Sequence, residues 1–271
     1  MSAPQLLLLV VAYGNRSEVR DFCLTIHDQF DRSAVRIAVC DNSPDREEGF
    51  DFGADVATKR PDNPGYWGGA MAALNEYSLL HPEMPDWIAI TNTDLCYVTP
   101  DVLGILSDHS SSSPLVIAPR ITEGEIEKNP HVVTARPAWR LSVNHLLTIS
   151  PGIAAGYLVA SRAKFWVGVK VRAGRKMPLA MSGTRMHSPY GALIFFNSAF
   201  FSASAVWPRV PLLAEEWAVG QMAIERSAPV IFEPRIWVRH EAHQTTGRMS
   251  SRRRAATLSR AFEFIWAKAR P

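Results

Sequence analysis

Along the first hundred residues, apolar runs alternate with segments in which apolar positions recur every three to four residues. Residues 5–12, QLLLLVVA, form a short and nearly continuous apolar run, as expected of a strand buried on both faces. Asn15 and Ser17 then stand where helix caps are favoured, and Val19, Phe22, Cys23 and Ile26 follow at helical spacing, which predicts a helix over about 18–30. A second strand is expected at 35–40, ending in the turn cluster Asp41-Asn42-Ser43-Pro44, and a short third one at 55–59. A helix is expected over 68–80, just after a glycine-rich turn, and another buried strand at 86–91. Strands and helices in this order predict an α/β fold built on an open, mostly parallel sheet.

The second half is less regular. Residues 115–118 and 192–196 read as strands, 213–226 as a helix, and 230–232 and 236–240 as two further strands. Residues 110–113 read as a surface loop, and 122–186 as an irregular, polar and basic stretch. Residues 250–268 fit a basic amphipathic helix with Leu258, Phe262, Ile265 and Trp266 on one side. No internal repeat is present.

Composition narrows the class. At 271 residues the chain is long enough for one large domain or two small ones. With 47% hydrophobic and 20% charged residues it can build a full core, which excludes disorder as its main state. The opening apolar run is far shorter than the ~20 residues of a bilayer-spanning helix, and it lacks the basic leader of a signal peptide. Three cysteines without metal-type spacing suit a reducing compartment, so a cytoplasmic location is expected. A net charge of +3 does not call for nucleic acid as a partner, but the charge is uneven. Residues 248–271 carry seven basic side chains against the single acid Glu263, and 162–176 form a second basic stretch around Phe165 and Trp166. Such segments suit anionic membrane surfaces or phosphorylated substrates, or else a merely solvated face.

In an open parallel sheet, ligands gather beyond the carboxyl ends of the strands. Three polar motifs stand at such ends: Tyr13-Gly14-Asn15, Asp41-Asn42-Ser43 and Asn92-Thr93-Asp94. Any one of them is ordinary turn chemistry, but three in register make a ligand rim. No G-x-G-x-x-G follows the first strand, and no P-loop, G-x-S-x-G elbow or H-E-x-x-H occurs, which argues against nicotinamide binding and excludes those other chemistries. Asn92-x-Asp94 suits Mg²⁺ or Mn²⁺, which take one or two protein carboxylates and fill their remaining positions with water and phosphate. Asn63-Pro64-Gly65-Tyr66-Trp67-Gly68-Gly69 leads into a helix whose N-terminus favours anions. The pair Glu215-Glu216 offers a carboxylate suited to accept a proton, or simply acids well placed at a helix start. His240, at a strand end, and His243 beyond it are further metal-ligand candidates.

Taken in order, these motifs resemble family 2 of the inverting, nucleotide-sugar-dependent glycosyltransferases, which have the GT-A fold, and in particular the rhamnosyltransferase-like branch that builds O-antigens and other bacterial surface polysaccharides. The likeness rests on Val10-Val11-Ala12-Tyr13-Gly14-Asn15, Val39-Cys40-Asp41-Asn42-Ser43, the Asn63–Gly69 motif and Asn92-Thr93-Asp94, where the branch carries its modified D-x-D. It continues in Gly191-Ala192 before an apolar strand, in Glu215-Glu216, and in Glu233-Pro234 leading to His240. Three departures stand out: the family's acidic pair is usually Glu-Asp, Ala218 occupies the place of a further acid, and Gln221-Met222 stand where the family carries an Arg.

The resemblance implies a GT-A domain over 1–247, with a nucleotide-binding half to about 110 and an acceptor half beyond it, followed by a basic helix over 248–271. It implies that Asp41 holds the nucleotide base, while Tyr13, Asn15, Asn63, Gly65, Trp67, Gly69, Asn92 and Asp94 line the donor, a dTDP- or UDP-sugar. Asp94 with His240 would bind Mg²⁺ or Mn²⁺; Glu216, or alternatively Glu215, would be the general base; Gly191, Ala192 and Trp217 would face the acceptor. The acceptor would be a growing glycan or a polyprenyl-diphosphate-linked sugar met at the inner face of the cell membrane. A catalytically silent relative and a sugar-nucleotide pyrophosphorylase are the alternatives on the same fold.

Overall fold

The computed structural model describes residues 5–45, 49–109, 112–135, 137–150, 152–154, 156–157, 159–160, 180–202, 209–241 and 250–268. The basic stretch 162–176, with Phe165 and Trp166, and His243 lie outside the described residues.

The first strand, β1 (Leu6–Ala12), pairs in parallel with β2 (Val35–Asp41) on one side and with β4 (Trp87–Thr91) on the other. With neighbours on both edges and helices on both faces, its side chains alternate between two cores, which is why the run is apolar throughout. Leu7 and Leu9 enter one core with Trp67, Leu74 and Phe196, while Leu6, Leu8 and Val10 enter the other with Val19, Phe22 and Ile26. The latter three lie on α1 (Arg16–Gln29), and Leu74 lies on α2 (Gly65–Leu80). The short strand β3 (Val56–Lys59) completes this parallel edge beside β2.

Beyond β4 the sheet becomes mixed. After β5 (Leu95–Tyr97) and α3 (Val102–Ser107), the chain forms β6 (Val116–Glu123), β7 (Ile126–Glu127), α4 (Ala138–Leu146), β8 (Thr184–Met186), β9 (Leu193–Asn197), α5 (Ser198–Ser202), α6 (Glu215–Glu225), β10 (Val230–His240) and α7 (Ser251–Lys268). The strand order is β3-β2-β1-β4-β9-β6-β10-β5, with β7 beside β6 and β8 beside β10. Strand β9 runs antiparallel between β4 and β6, and β5 antiparallel beside β10, whereas β6 and β10 pair in parallel, so the parallel pairing expected from the sequence extends into the second half of a mixed sheet. The result is the single-domain, Rossmann-like α/β architecture of the GT-A type, a mixed sheet flanked by helices.

Three further expectations change. The two strands expected at 230–232 and 236–240 are one strand, bulged between Glu233 and Trp237. Pro234 lacks an N–H for the ladder, and a bulge is where a strand tolerates it. Helix α2 begins at Gly65, three residues earlier than expected, so Gly65, Tyr66 and Trp67 form its first turn rather than a preceding turn. The irregular stretch contains β7, α4 and β8.

The C-terminal helix uses its apolar side within the fold. Ala261, Phe262 and Ile265 are buried, Trp266 stacks on His145 of α4 at 4.4 Å, and Phe264 meets Trp217 of α6 edge-on. Among the described residues no helix is long and apolar enough to cross a membrane.

Candidate active site

Because β1, β2 and β4 run in parallel, the turns that follow them emerge on one rim. Asn42 N–H donates to the Ala12 carbonyl at 2.8 Å, and Gly14 N–H donates to Ser43 Oγ at 2.9 Å, which ties the first two turns together. Tyr13 N–H bonds back to Asn15 Oδ1 at 2.8 Å.

Asp41 is buried at the centre of this corner. Its Oδ2 lies 2.7 Å from Arg16 Nη2 and 2.9 Å from Lys59 Nζ, and its Oδ1 accepts from Ser43 N–H at 2.9 Å. Burial pushes this carboxyl up, but the hydrogen bonds from Ser43, Lys59 and Arg16 outweigh it and hold the group below its ordinary value. Asp41 is therefore an ionised acceptor with one oxygen shared by two cations.

The third edge of the rim is the start of α2. Asn63 adopts a left-handed φ of 44° and its Oδ1 accepts from Gly65 N–H, itself at φ 83°. Asn42 Nδ2 donates to the Gly65 carbonyl at 3.0 Å. A Cβ on Gly69 would approach that same Asn42 Nδ2 to 2.8 Å and Val11 Cγ1 to 3.0 Å, so only glycine lets the helix sit this close to the strand ends. Trp67, expected to line the donor, instead packs edge-on against Phe196 at 1% exposure. Its ring belongs to the core.

Asp94 and His240 converge across the sheet. β5 pairs with the end of β10 so that His240 stands opposite Leu95, and Glu241 N–H donates to the Asp94 carbonyl. Asp94 Oδ1 lies 3.1 Å from His240 Nε2 with both atoms buried, yet neither atom has a hydrogen bond. Asn92 N–H donates to the carbonyl of Ala192, which is itself buried, so Asn92 and Ala192 join β4 to the start of β9.

The donor set fits a divalent metal of the kind that keeps most of its coordination for water and phosphate. The fit rests on two buried ligand atoms that lie 3.1 Å apart and make no hydrogen bond. Among the described residues no group of three or more His, Cys, Asp or Glu is placed to hold a metal by itself, so substrate oxygens would have to complete the shell.

Helix α6 delivers the acidic pair. Glu216 is about one-third exposed; its Oε1 accepts from Gly191 N–H at 2.9 Å and its Oε2 lies 3.1 Å from His131 Nε2. Glu215 is more deeply placed, with Oε1 buried and without a partner, and burial, with a lesser push from Glu216, raises its carboxyl to about 7. Trp217, expected on the acceptor side, turns toward α7 and Phe264.

Three residues given no role at the sequence level complete the site. Tyr66 has a buried hydroxyl without a hydrogen bond, within electrostatic reach of Glu215 and Asp94. The Tyr190 ring lies 5.9 Å from His240 and 5.7 Å from His131, so it stands between the Asp94–His240 contact and Glu216. His131 reaches Glu216 because Val132 bridges to Ser188 and brings the two segments together. Only the aromatic position in the Asn63–Gly69 motif signalled any of them in the sequence. Buried polar atoms without partners are rare in folded proteins. Here Tyr66, Asp94, Glu215 and His240 all supply them to one region, as a ligand-binding site requires.

No family model matches this chain, and no curated protein matches it closely. Among solved structures, S. aureus TarS matches 88% of this chain with a TM-score of 0.51 at 10% identity, and the chain spans 37% of that TarS chain. A structure of TarS 1–349 gives a TM-score of 0.47 at 10% identity, over 85% of this chain and 60% of that one. The mannosyltransferase PcManGT from Pyrobaculum calidifontis, in complex with GDP-Man and Mn²⁺, gives 0.49 at 10% identity, over 100% and 77%. The chain thus spans just over a third of the first of these structures, and at such identity its likeness to full TarS is one of fold.

Proposed function

We propose that this chain is an inverting, metal-dependent glycosyltransferase of the family 2, rhamnosyltransferase-like kind. It moves a sugar from a dTDP- or UDP-linked donor to a hydroxyl of a growing glycan or polyprenyl-diphosphate-linked acceptor, with no nucleic acid involved. The carrying observation is the Asp94–His240 contact, which lacks a hydrogen bond, beyond the same strand ends as the carboxylate of Asp41 and linked through Tyr190 and His131 to the oriented carboxylate of Glu216.

In this reading Asp41 and the Asn63–Gly69 turn hold the nucleoside, and Asn15 and Asn92 border the donor. Asp94 and His240 would hold Mg²⁺ or Mn²⁺, which supplies Lewis-acid stabilisation of the departing diphosphate. Glu216 is the general base: it is the more accessible of the pair, and Gly191 N–H and His131 fix its orientation. As the acceptor oxygen bonds to the anomeric carbon, its proton passes to Glu216. The bond from that carbon to the diphosphate oxygen breaks on the opposite face, leaving a nucleoside diphosphate and an inverted linkage. Glu215, beneath it, positions the site rather than taking the proton. The protein works in the cytoplasm, peripheral to the inner membrane face.

A catalytically silent binding protein is the second reading. It is favoured by Ala218, which is buried in the core where the family carries another acid. Both readings meet the same test, a thermal-shift screen of dTDP-, UDP- and GDP-sugars with and without Mn²⁺, followed by product analysis. Metal-dependent stabilisation with release of nucleoside diphosphate is expected. Binding without turnover would favour the silent reading, and no response to any donor would sink both.

A further inference from the structure

Helix α4 is apolar on two sides, and only one of them is used inside the fold. Leu141 is buried and His145 stacks on Trp266 of α7, which seats the inner side. Trp139, Val143 and Leu146, spaced i, i+4 and i+7, share the opposite side and are exposed, Trp139 to 63% and Leu146 to 62%. The chain that follows continues this exposure through Ile149, Ile153 and Val159, the last at 71%. Monomeric soluble proteins rarely leave so many large apolar side chains contiguous and uncovered.

We propose that this face, Trp139, Val143 and Leu146 of α4 with the exposed Ile149, Ile153 and Val159 beyond it, docks on an anionic lipid bilayer. The charge pattern favours lipid as the occupant. Residues 138–160 contain no Asp or Glu, and their one permanent cation, Arg140, lies with its guanidinium 5.2 Å from the Trp139 ring centroid. Helix α7, packed against α4, exposes Arg252, Arg253, Arg260 and Lys268. Tryptophan and branched aliphatics with an arginine beside them, on a helix pair that is otherwise basic, match the boundary between acyl chains and anionic headgroups. The contact surface is thereby assigned to α4 and the chain after it rather than to the apolar side of α7, which the fold has already covered.

The face is joined to the proposed chemistry through the chain and through α7. His131, which meets Glu216, precedes α4 by seven residues, and Phe264 of α7 meets Trp217, the neighbour of Glu216. Delivery of a lipid-linked acceptor to that carboxylate rests on the proposed function; the docking itself does not.

The test is co-sedimentation of the full chain with phosphatidylcholine vesicles with and without phosphatidylglycerol, beside its Trp139→Ser/Leu146→Ser variant. The parent is expected to pellet with the anionic vesicles at low salt, and the variant to bind about tenfold less or worse. Both side chains point outward, so thermal midpoint and nucleotide binding should be unchanged, which separates this result from failure of the glycosyltransferase reading. Arg252→Gln/Arg253→Gln should weaken binding and reduce its salt dependence. If the double variant proves unstable, Leu146→Lys alone serves in its place. Absence of pelleting, pelleting indifferent to these substitutions, or a concentration-dependent dimer that the substitutions abolish in place of vesicle binding would each overturn the proposal.

Discussion

Asp94 Oδ1 and His240 Nε2 stand 3.1 Å apart, both buried, in a geometry that gives neither a hydrogen bond. A carboxylate and an imidazole at that distance would ordinarily turn to bond each other. In the proposed function the two groups are aimed at a third, the metal. Asp94→Asn and His240→Ala are each expected to abolish the Mn²⁺-dependent part of nucleotide-sugar binding. Transfer should fall by roughly 10²-fold or more, since a metal on a leaving diphosphate supplies several kcal/mol of transition-state stabilisation. A thermal-shift titration of Mn²⁺ at fixed nucleoside diphosphate checks the first effect. Unchanged metal dependence in both variants would remove the pair from the site.

The two acids of α6 separate by experiment. Glu215 has its folded value raised to about 7 by burial, from an ordinary 4.5. A carboxyl raised in this way lowers stability progressively as pH climbs from about 4.5 to 7 and brings no cost below that range. Glu215→Gln should therefore match the parent near pH 4 and exceed it above pH 7, by at most about 3 kcal/mol. Urea melts at the two pH values give the comparison. Glu215→Gln should retain measurable turnover, whereas Glu216→Gln, which removes the proposed base, should lose about 10²–10⁴-fold in kcat with donor binding intact. The reverse ranking would move the base to Glu215.

Tyr66 offers a sharper contrast between stability and activity. Burial, with the charges of Glu215 and Asp94, drives its phenol well above the ordinary tyrosine value, so it is a neutral hydroxyl. That hydroxyl has no protein partner. Tyr66→Phe removes a buried polar atom without breaking a bond, so the fold should be unaffected or slightly more stable. If the hydroxyl serves a bound sugar or phosphate, kcat/KM should fall by about 10–10²-fold in the same variant. A loss of both stability and activity would mark it as structural.

How far the sequence discloses this arrangement follows from geometry. Strands β1, β2 and β4 were legible because both their faces are buried and the apolar run is unbroken. Strand β6 runs five residues beyond expectation, through Arg120, Thr122 and Glu123, where the polar composition of its end hid it. The strand-end motifs were equally legible, since a turn after a buried strand has one place to go. Where the helical site residues pack follows from one cause. Successive residues on a helix point about 100° apart, so a motif names a turn but not a direction. In α2 the motif pointed to Trp67, and Tyr66 bears the buried hydroxyl nearest the acids; in α6, Glu216 faces Gly191 while Trp217 faces α7. His131 and Tyr190 were invisible because no local periodicity marks them; the bridge between Val132 and Ser188 brings their segments together.

The bulge in β10 carries a separate and testable charge cluster. Glu233 is fully buried there, 2.7 Å from His109 Nε2, and accepts from Ser182 Oγ at 2.8 Å and from Arg235 Nη2 at 2.9 Å. Burial pushes this carboxyl up, but the hydrogen bonds from Arg235, His109 and Ser182 more than reverse it and hold the group at about 2. A depressed carboxyl contributes stability that is full above its unfolded value near 4.5 and is lost as pH falls from there through about 2. Glu233→Gln should therefore cost about 2–3 kcal/mol at pH 7 and little near pH 2, with the acid limb of the stability curve correspondingly flattened. Arg235 keeps its contact with Asp108 at 2.8 Å, so the variant leaves no cation stranded, and the loss measures the carboxylate itself. Denaturation midpoints followed from pH 7 to pH 2 decide it: parallel curves for parent and variant would show that Glu233 does not titrate with folding. A converging pair would show that the irregular turn of β10 around Pro234 is held by this one ionised group, some distance along the strand from His240 and the chemistry at its end.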